Sequence, residues 1–127
     1  MSGYIGNIEK KSLGNNYFRE VTYTGKYCQL VVMSLNPGEE IGLEVHKKVD
    51  QFFRVEKGRA KVIIDGIESL VIDGAGIIVP AGSEHNLINL STKSDLKLYT
   101  IYSPPQHKDG VIHKTKKDAM ADETDHL

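Results

Sequence analysis

Apolar and polar positions along this chain alternate in short runs that have the length of strands rather than helices. Between Tyr17 and Tyr102, segments rich in Val, Ile, Tyr, Phe and Thr recur at regular intervals, separated by turn residues. A period of two sends one set of side chains to a buried face and the other to solvent. The pattern predicts strands near 17–23, 28–35, 41–46, 50–56, 59–65, 67–71, 76–79, 84–90 and 95–102. The breaks fall at Gly25-Lys26, Pro37-Gly38, Lys57-Gly58, Asp65-Gly66, Asp73-Gly74 and Ala81-Gly82. Asp65-Gly66 is the strongest hairpin indication, because a type I′ turn needs positive φ at both central residues. Short strands with no long helical period between them leave no room for the crossovers of a parallel sheet. The expected class is therefore all-β, a sandwich or barrel.

The two ends read differently. Residues 1–16 are polar and glycine-rich, an arm with room for one short strand. Ser103-Pro104-Pro105 stops the last strand, since proline cannot donate to a ladder. Residues 106–113 form a loop, and 115–124 have helix-forming composition, with Thr115 as cap and Asp118 three residues on. Beyond Glu123 the tail is expected to fray. The organisation is one domain: arm 1–16, barrel 17–105, and C-terminal loop, helix and tail 106–127.

Composition narrows the function classes. A formal net charge of −1 over 127 residues provides no field to gather nucleic acid or an anionic membrane. The longest apolar runs, of five to six residues, fall far short of the roughly 20 that cross a bilayer. The N-terminus has no signal-peptide pattern. A single cysteine, Cys28, excludes an intramolecular disulfide and four-cysteine zinc sites, and fits a reducing compartment. The expectation is a soluble, cytoplasmic protein, with Cys28 buried and inert on a strand.

The chemistry concentrates in two segments, Pro37–Gly58 and Gly74–Asn89. Residues two apart on a strand share a face, so Glu44 and His46 project together, and with the strand through Gln51, Phe53 and Val55 as their hairpin partner Gln51 is expected to face the same space. His85 opens another strand just after the Pro80-Ala81-Gly82 turn. Two imidazoles, a carboxylate and an amide oxygen suit a borderline divalent ion such as Mn, Zn, Fe or Ni. One or two positions on such an ion would remain free for substrate or water.

The two segments resemble the cupin superfamily. Its first motif, G-x5-H-x-H-x3-4-E-x6-G, is met in spacing by Gly38, Glu44, His46, Gln51 and Gly58. Its second, G-x5-P-x-G-x2-H-x3-N, is met at every fixed position by Gly74, Pro80, Gly82, His85 and Asn89. Glu44 stands where cupins usually carry a first histidine, and Gln51 where they carry glutamate, so the carboxylate has moved from the second strand to the first. The resemblance covers roughly residues 28–105 and implies a double-stranded β-helix, the cupin or jelly-roll barrel. It implies Glu44, His46, Gln51 and His85 as metal ligands, and a homodimer. Phosphomannose isomerases, also cupins, hold zinc with Gln, His, Glu and His. The resemblance therefore implies metal-assisted proton transfer on a sugar or sugar phosphate, with Glu44 as ligand or as general base. Two alternatives stand beside it: an Fe(II)-dependent dioxygenase, and a barrel that binds a small molecule without catalysis.

Several other residues have plainer expectations. Phe52, Phe53, Tyr99 and Tyr102 read as core or dimer-interface aromatics. Asn89 reads as closing a turn, and Gly38, Gly58, Gly74 and Gly82 as turn positions with positive φ. Lys48, Arg54 and Lys61 read as solvated side chains, with a role at the pocket mouth as the alternative. His107 and His113 lie in a loop that either packs the C-terminal helix or folds over the barrel mouth. Related small cupins carry a similar Pro-Pro-x-His…Gly…His ending.

Overall fold

The structure, a computed structural model, describes residues 2–125. In chain order the elements are α1 (Ile8–Gly14), β1 (Arg19–Thr24), β2 (Gln29–Leu35), β3 (Glu44–Val45), β4 (Asp50–Lys57), β5 (Arg59–Ile64) and β6 (Ile67–Ile72). There follow β7 (Gly76–Val79), β8 (Glu84–Asn89), β9 (Leu96–Ser103), β10 (Ile112–His113) and α2 (Lys116–Ala121). Two antiparallel sheets face each other, one in the order β10-β1-β2-β9-β4-β7 and the other β3-β8-β5-β6. This is the jelly-roll arrangement, and no helix is long and apolar enough to cross a membrane.

Strand phase decides what lies inside. On β4 the buried residues are Gln51, Phe53 and Val55. On β9 the same phase carries Leu96, Leu98, Thr100 and Tyr102, and on β8 it carries His85, Leu87 and Asn89. These side chains meet Val31, Met33 and Leu35 of β2 in one continuous core. The Asp65-Gly66 turn has φ of 48° and 81°, the two positive values that the hairpin between β5 and β6 requires. Asn89 knits the end of the barrel, its Nδ2 bonding the carbonyls of Leu35, Asn36 and Ser94 while its Oδ1 accepts from the amide of Ser91.

Four expectations are corrected. The N-terminal arm forms a helix, not a strand. Asn7 caps it by accepting from the amide of Lys10, with Glu9 in the first turn. This helix sits on the outer face of the larger sheet, where Lys97 Nζ donates to the carbonyl of Asn15 and to Ser34 Oγ. Cys28 is exposed, just ahead of β2, because the Gly25 to Cys28 turn ends before the ladder begins. The strand expected over 41–46 shrinks to two residues, since Gly42 at φ 110° breaks the extended path. The tail expected to fray beyond Glu123 is held at Asp125, which is buried, and its last two positions, 126 and 127, lie outside the described residues. The capped helix at Thr115 is present but short, Thr115 Oγ1 accepting from the amide of Asp118.

A candidate metal centre at the barrel mouth

Glu44 and His85 are register partners across β3 and β8. Directly opposed residues hold their Cβ atoms about 4.5–5.5 Å apart on one face, so both side chains enter the barrel together. His46, two residues beyond Glu44, joins them. Its Nε2 lies 3.1 Å from Glu44 Oε2, and its ring centroid lies 5.4 Å from that of His85. One donor atom from each of Glu44, His46 and His85 lies within 4.8 Å of the others. Bonds of about 2.0–2.2 Å place two donors on one ion at most about 4.4 Å apart, so small side-chain rotations close the set. His85 Nδ1 is 3.2 Å from the carbonyl of Ser83. A carbonyl only accepts, so Nδ1 carries the proton and Nε2 keeps its lone pair for the centre.

Gln51 enters from the larger sheet: β4 pairs with β7 and β9 and β3 with β8, so the expected hairpin between the Glu44 and Gln51 strands is not formed, and Gln51 reaches the site across the barrel. It is almost fully buried, and its Nε2 donates to Thr100 Oγ1 at 2.9 Å. Its Oε1 is enclosed with no partner among the described residues. An acceptor left so costs about 1–3 kcal/mol unless something electropositive meets it. Its neighbours tie it to the site. Phe53, next on the same face, places its ring 6.3 Å from that of His85, and Tyr102, its register partner on β9, lies 5.8 Å from the ring of His46. The donor set, two imidazoles with a carboxylate and an orphaned amide oxygen, fits a borderline divalent ion. Burial acts to raise the Glu44 carboxyl. The hydrogen bond to His46 and the charges of His46, Arg19 and His85 outweigh it and hold the group below its ordinary value, ionised and fit to ligate.

A cavity of about 390 Å³ opens beside these residues, with Glu44, His46 and Ile41 on one wall and His107, Met120 and Asp125 on another. The C-terminal segment builds that second wall. Strand β10 pairs with β1 and sets His113 opposite Arg19. Arg19 Nη1 donates to His113 Nδ1 at 3.1 Å, and His113 Nε2 donates to Asp122 Oδ2 at 3.0 Å. That bond and those from Thr124 draw the Asp122 carboxyl well below its usual range. His107 Nδ1 donates to Asp125 Oδ2 at 2.6 Å, and its Nε2 accepts from the Tyr102 hydroxyl at 3.2 Å. The loop of His107 and His113 therefore folds over the mouth. Lys48 is exposed, Arg54 pairs with Glu56 and Lys61 with Glu68, and none of the three lines the cavity.

Burial, with the positive charge of Arg19, pushes His107 down to about 4, against the opposing pull of Asp125. The imidazole is neutral at neutral pH, as its acceptor role toward Tyr102 requires. Burial likewise raises the Tyr102 phenol, which stays protonated and donating. Between pH 6.5 and about 4 the unfolded chain binds a proton at position 107 that the folded chain refuses. Stability should therefore fall through that window as pH is lowered, by at most about 3 kcal/mol. Urea unfolding at pH 7 and pH 4.5 measures it, and His107→Gln should flatten the dependence.

Arg19, Asp122 and Asp125 are site residues that the sequence reading passed over. For Arg19 there was an indication: it occupies the inward phase of β1 with Val21, a position that strands give to apolar side chains. The acids of the tail carried none, because their partners lie on other elements.

Comparison with known proteins agrees with this geometry. The profile of the family described as Cupin domain matches residues 31–102. The chain is 45% identical to the uncharacterized protein YrkC of Bacillus subtilis over an alignment of 126 residues, covering 94% of this chain and 67% of that one. It is 30% identical over 89 residues to quercetin 2,3-dioxygenase of Bacillus subtilis, covering 70% of this chain and 26% of that enzyme. Among solved structures, that of BH2720 from Bacillus halodurans superposes with a TM-score of 0.91 at 42% identity, covering 94% of both chains. A family match over more than half the chain, on a two-sheet barrel with this inward-facing cluster, makes the protein a small member of the cupin family.

Proposed function

We propose that this cupin holds a divalent metal ion through His46, His85, Glu44 and the amide oxygen of Gln51, and acts on a small oxygen-bearing molecule in the adjoining cavity. The reaction is proton transfer on a sugar or sugar phosphate. The observation that carries the reading is the mutual approach of donor atoms from Glu44, His46 and His85 within 4.8 Å in the barrel mouth. A bound ion supplies Lewis-acid stabilisation of negative charge developing on a substrate oxygen. The chain supplies the rest. Ser83 fixes the His85 tautomer, Phe53 and Tyr102 keep water from the inner side, and Glu44 is ionised. Its Oε2 faces His46, and where Glu44 serves as general base rather than as ligand, this carboxylate takes the proton, since the two roles limit each other.

A second reading, an Fe(II)-dependent dioxygenase, draws support from the likeness to quercetin 2,3-dioxygenase and from the pairing of two histidines with a carboxylate. A barrel that only binds its small molecule is the non-catalytic alternative. The working form is taken to be a cytoplasmic homodimer, with half-buried Phe52 and exposed Ile78 offering an apolar outer face.

Elemental analysis of protein purified without an affinity tag tests the site. Wild type should carry stoichiometric metal and His46→Ala less than a tenth of it; two empty proteins would remove the reading. Zn or Mn favours isomerisation, whereas Fe with oxygen consumption favours the dioxygenase. Gln51→Leu should weaken metal affinity by about 10–100-fold, the range seen when supporting polar groups around a metal are lost.

A further inference from the structure

Arg19 is nine-tenths buried, yet most of its donors have nothing to meet. Nη1 donates to His113 and lies 4.0 Å from Asp125 Oδ2. Nε is enclosed without a partner, and no hydrogen bond among the described residues engages Nη2. The side chain lines the same cavity as Glu44 and His46. The guanidinium carbon sits over the Phe18 ring, 5.3 Å from its centroid. The group is held in place from both sides: His113 is tied to Asp122, and Asp125 to His107. A planar cation fixed in this way keeps its geometry for a second, planar oxyanion, because guanidinium and carboxylate match as a fork against a fork.

We propose that Arg19 is a substrate-binding residue that takes the carboxylate of a small organic acid, which narrows the sugar of the proposed reaction to a sugar acid and disfavours a neutral compound. This rests on the reading of the cavity as the substrate site, beside the metal ligands. Asp122 and Asp125 do not fill the role, because each is already engaged by a histidine of the C-terminal wall. Lys116 and Glu123 also line the cavity, one charge of each sign, and leave Arg19 as its buried cation. Arg19 shares this cavity with Glu44 and His46, where the proposed chemistry takes place.

The test uses the full chain and two matched pairs of probes, pyruvate with methyl pyruvate and D-glucuronate with D-glucose. Calorimetric titration should show at least one acid binding at least tenfold more tightly than its uncharged counterpart. Arg19→Met should abolish that preference, and Arg19→Lys should restore part of it. Metal content, measured on the same samples, should be unchanged in both variants. Should Arg19→Met fold poorly, the ¹⁵N resonance of Arg19 Nε in the wild type reports directly. It should shift on adding the acid and stay still with the neutral probe. Equal binding of acid and neutral partner, an Arg19→Met protein that keeps the preference, or a silent Arg19 resonance would each overturn the proposal. A metal-free wild type that still binds the acid through Arg19 would sink the metal reading and leave this one standing.

Discussion

Phe53→Ala should cost about 3–5 kcal/mol of stability, the range for truncating a buried aromatic. A domain of this size has about 5–15 kcal/mol in all, so the variant sits close to unfolding at room temperature. Phe53 is 2% exposed at the middle of β4, between Ile77 of β7 and Thr100 of β9, with its ring against His85. Little around it can collapse into the void, because both flanking strands are pinned by their ladders. Phe53→Leu, which keeps most of the volume, should lose less than about 1.5 kcal/mol. Leu70→Ala, on β6 and 77% exposed, should change stability by no more than about 0.5 kcal/mol. Urea midpoints of the three variants decide it. Equal losses at positions 53 and 70 would mean that the buried interior of the barrel has been misread.

His85→Ala should purify folded and without metal. His85 is the register partner of Glu44, and its Nε2 is the donor that the Ser83 contact leaves free. Alanine keeps the strand pairing and removes the imidazole, so circular dichroism should be preserved while bound metal falls at least a hundredfold. Reconstitution with Co(II) reads the same event optically: the visible bands of a nitrogen- and oxygen-ligated ion should appear in wild type and be missing in the variant. Full metal content in His85→Ala would place the ion elsewhere.

Much of the centre was legible because strand phase is local information. Glu44 and His46 share a face by their spacing alone, and the inward phase of β4 already grouped Gln51 with Phe53 and Val55. Asp65-Gly66 announced its turn through the backbone angles it demands. What the pattern could not give was set by contacts distant in the chain. Helix α1 has seven residues, too few for a helical period to emerge, and its local marks were short-range ones, Asn7 capping Lys10 and Glu9 in the first turn. The second wall of the cavity depends on β10 pairing with β1 across more than ninety residues, and on Asp125 reaching His107. A polar, charged tail gives no hint of such destinations. Cys28 was misjudged by one position, where the turn ends and the ladder starts. Arg19 broke the apolar phase of its strand, which is the mark of a residue retained for something other than packing.

The four proposed ligands do not come from one layer. Glu44 and His85 belong to the smaller sheet, and Gln51 to the larger. A cation shared among them would act as a rivet through the sandwich, bonding two leaves that are otherwise joined at this end by side-chain packing and loops. Anything that binds the folded chain alone raises its melting point by mass action, about 2.7 kcal/mol at a free concentration one hundred times the dissociation constant. Chelation should therefore loosen the mouth end first, and amide exchange along β3 should quicken before that of β2 and β9 deeper in the barrel.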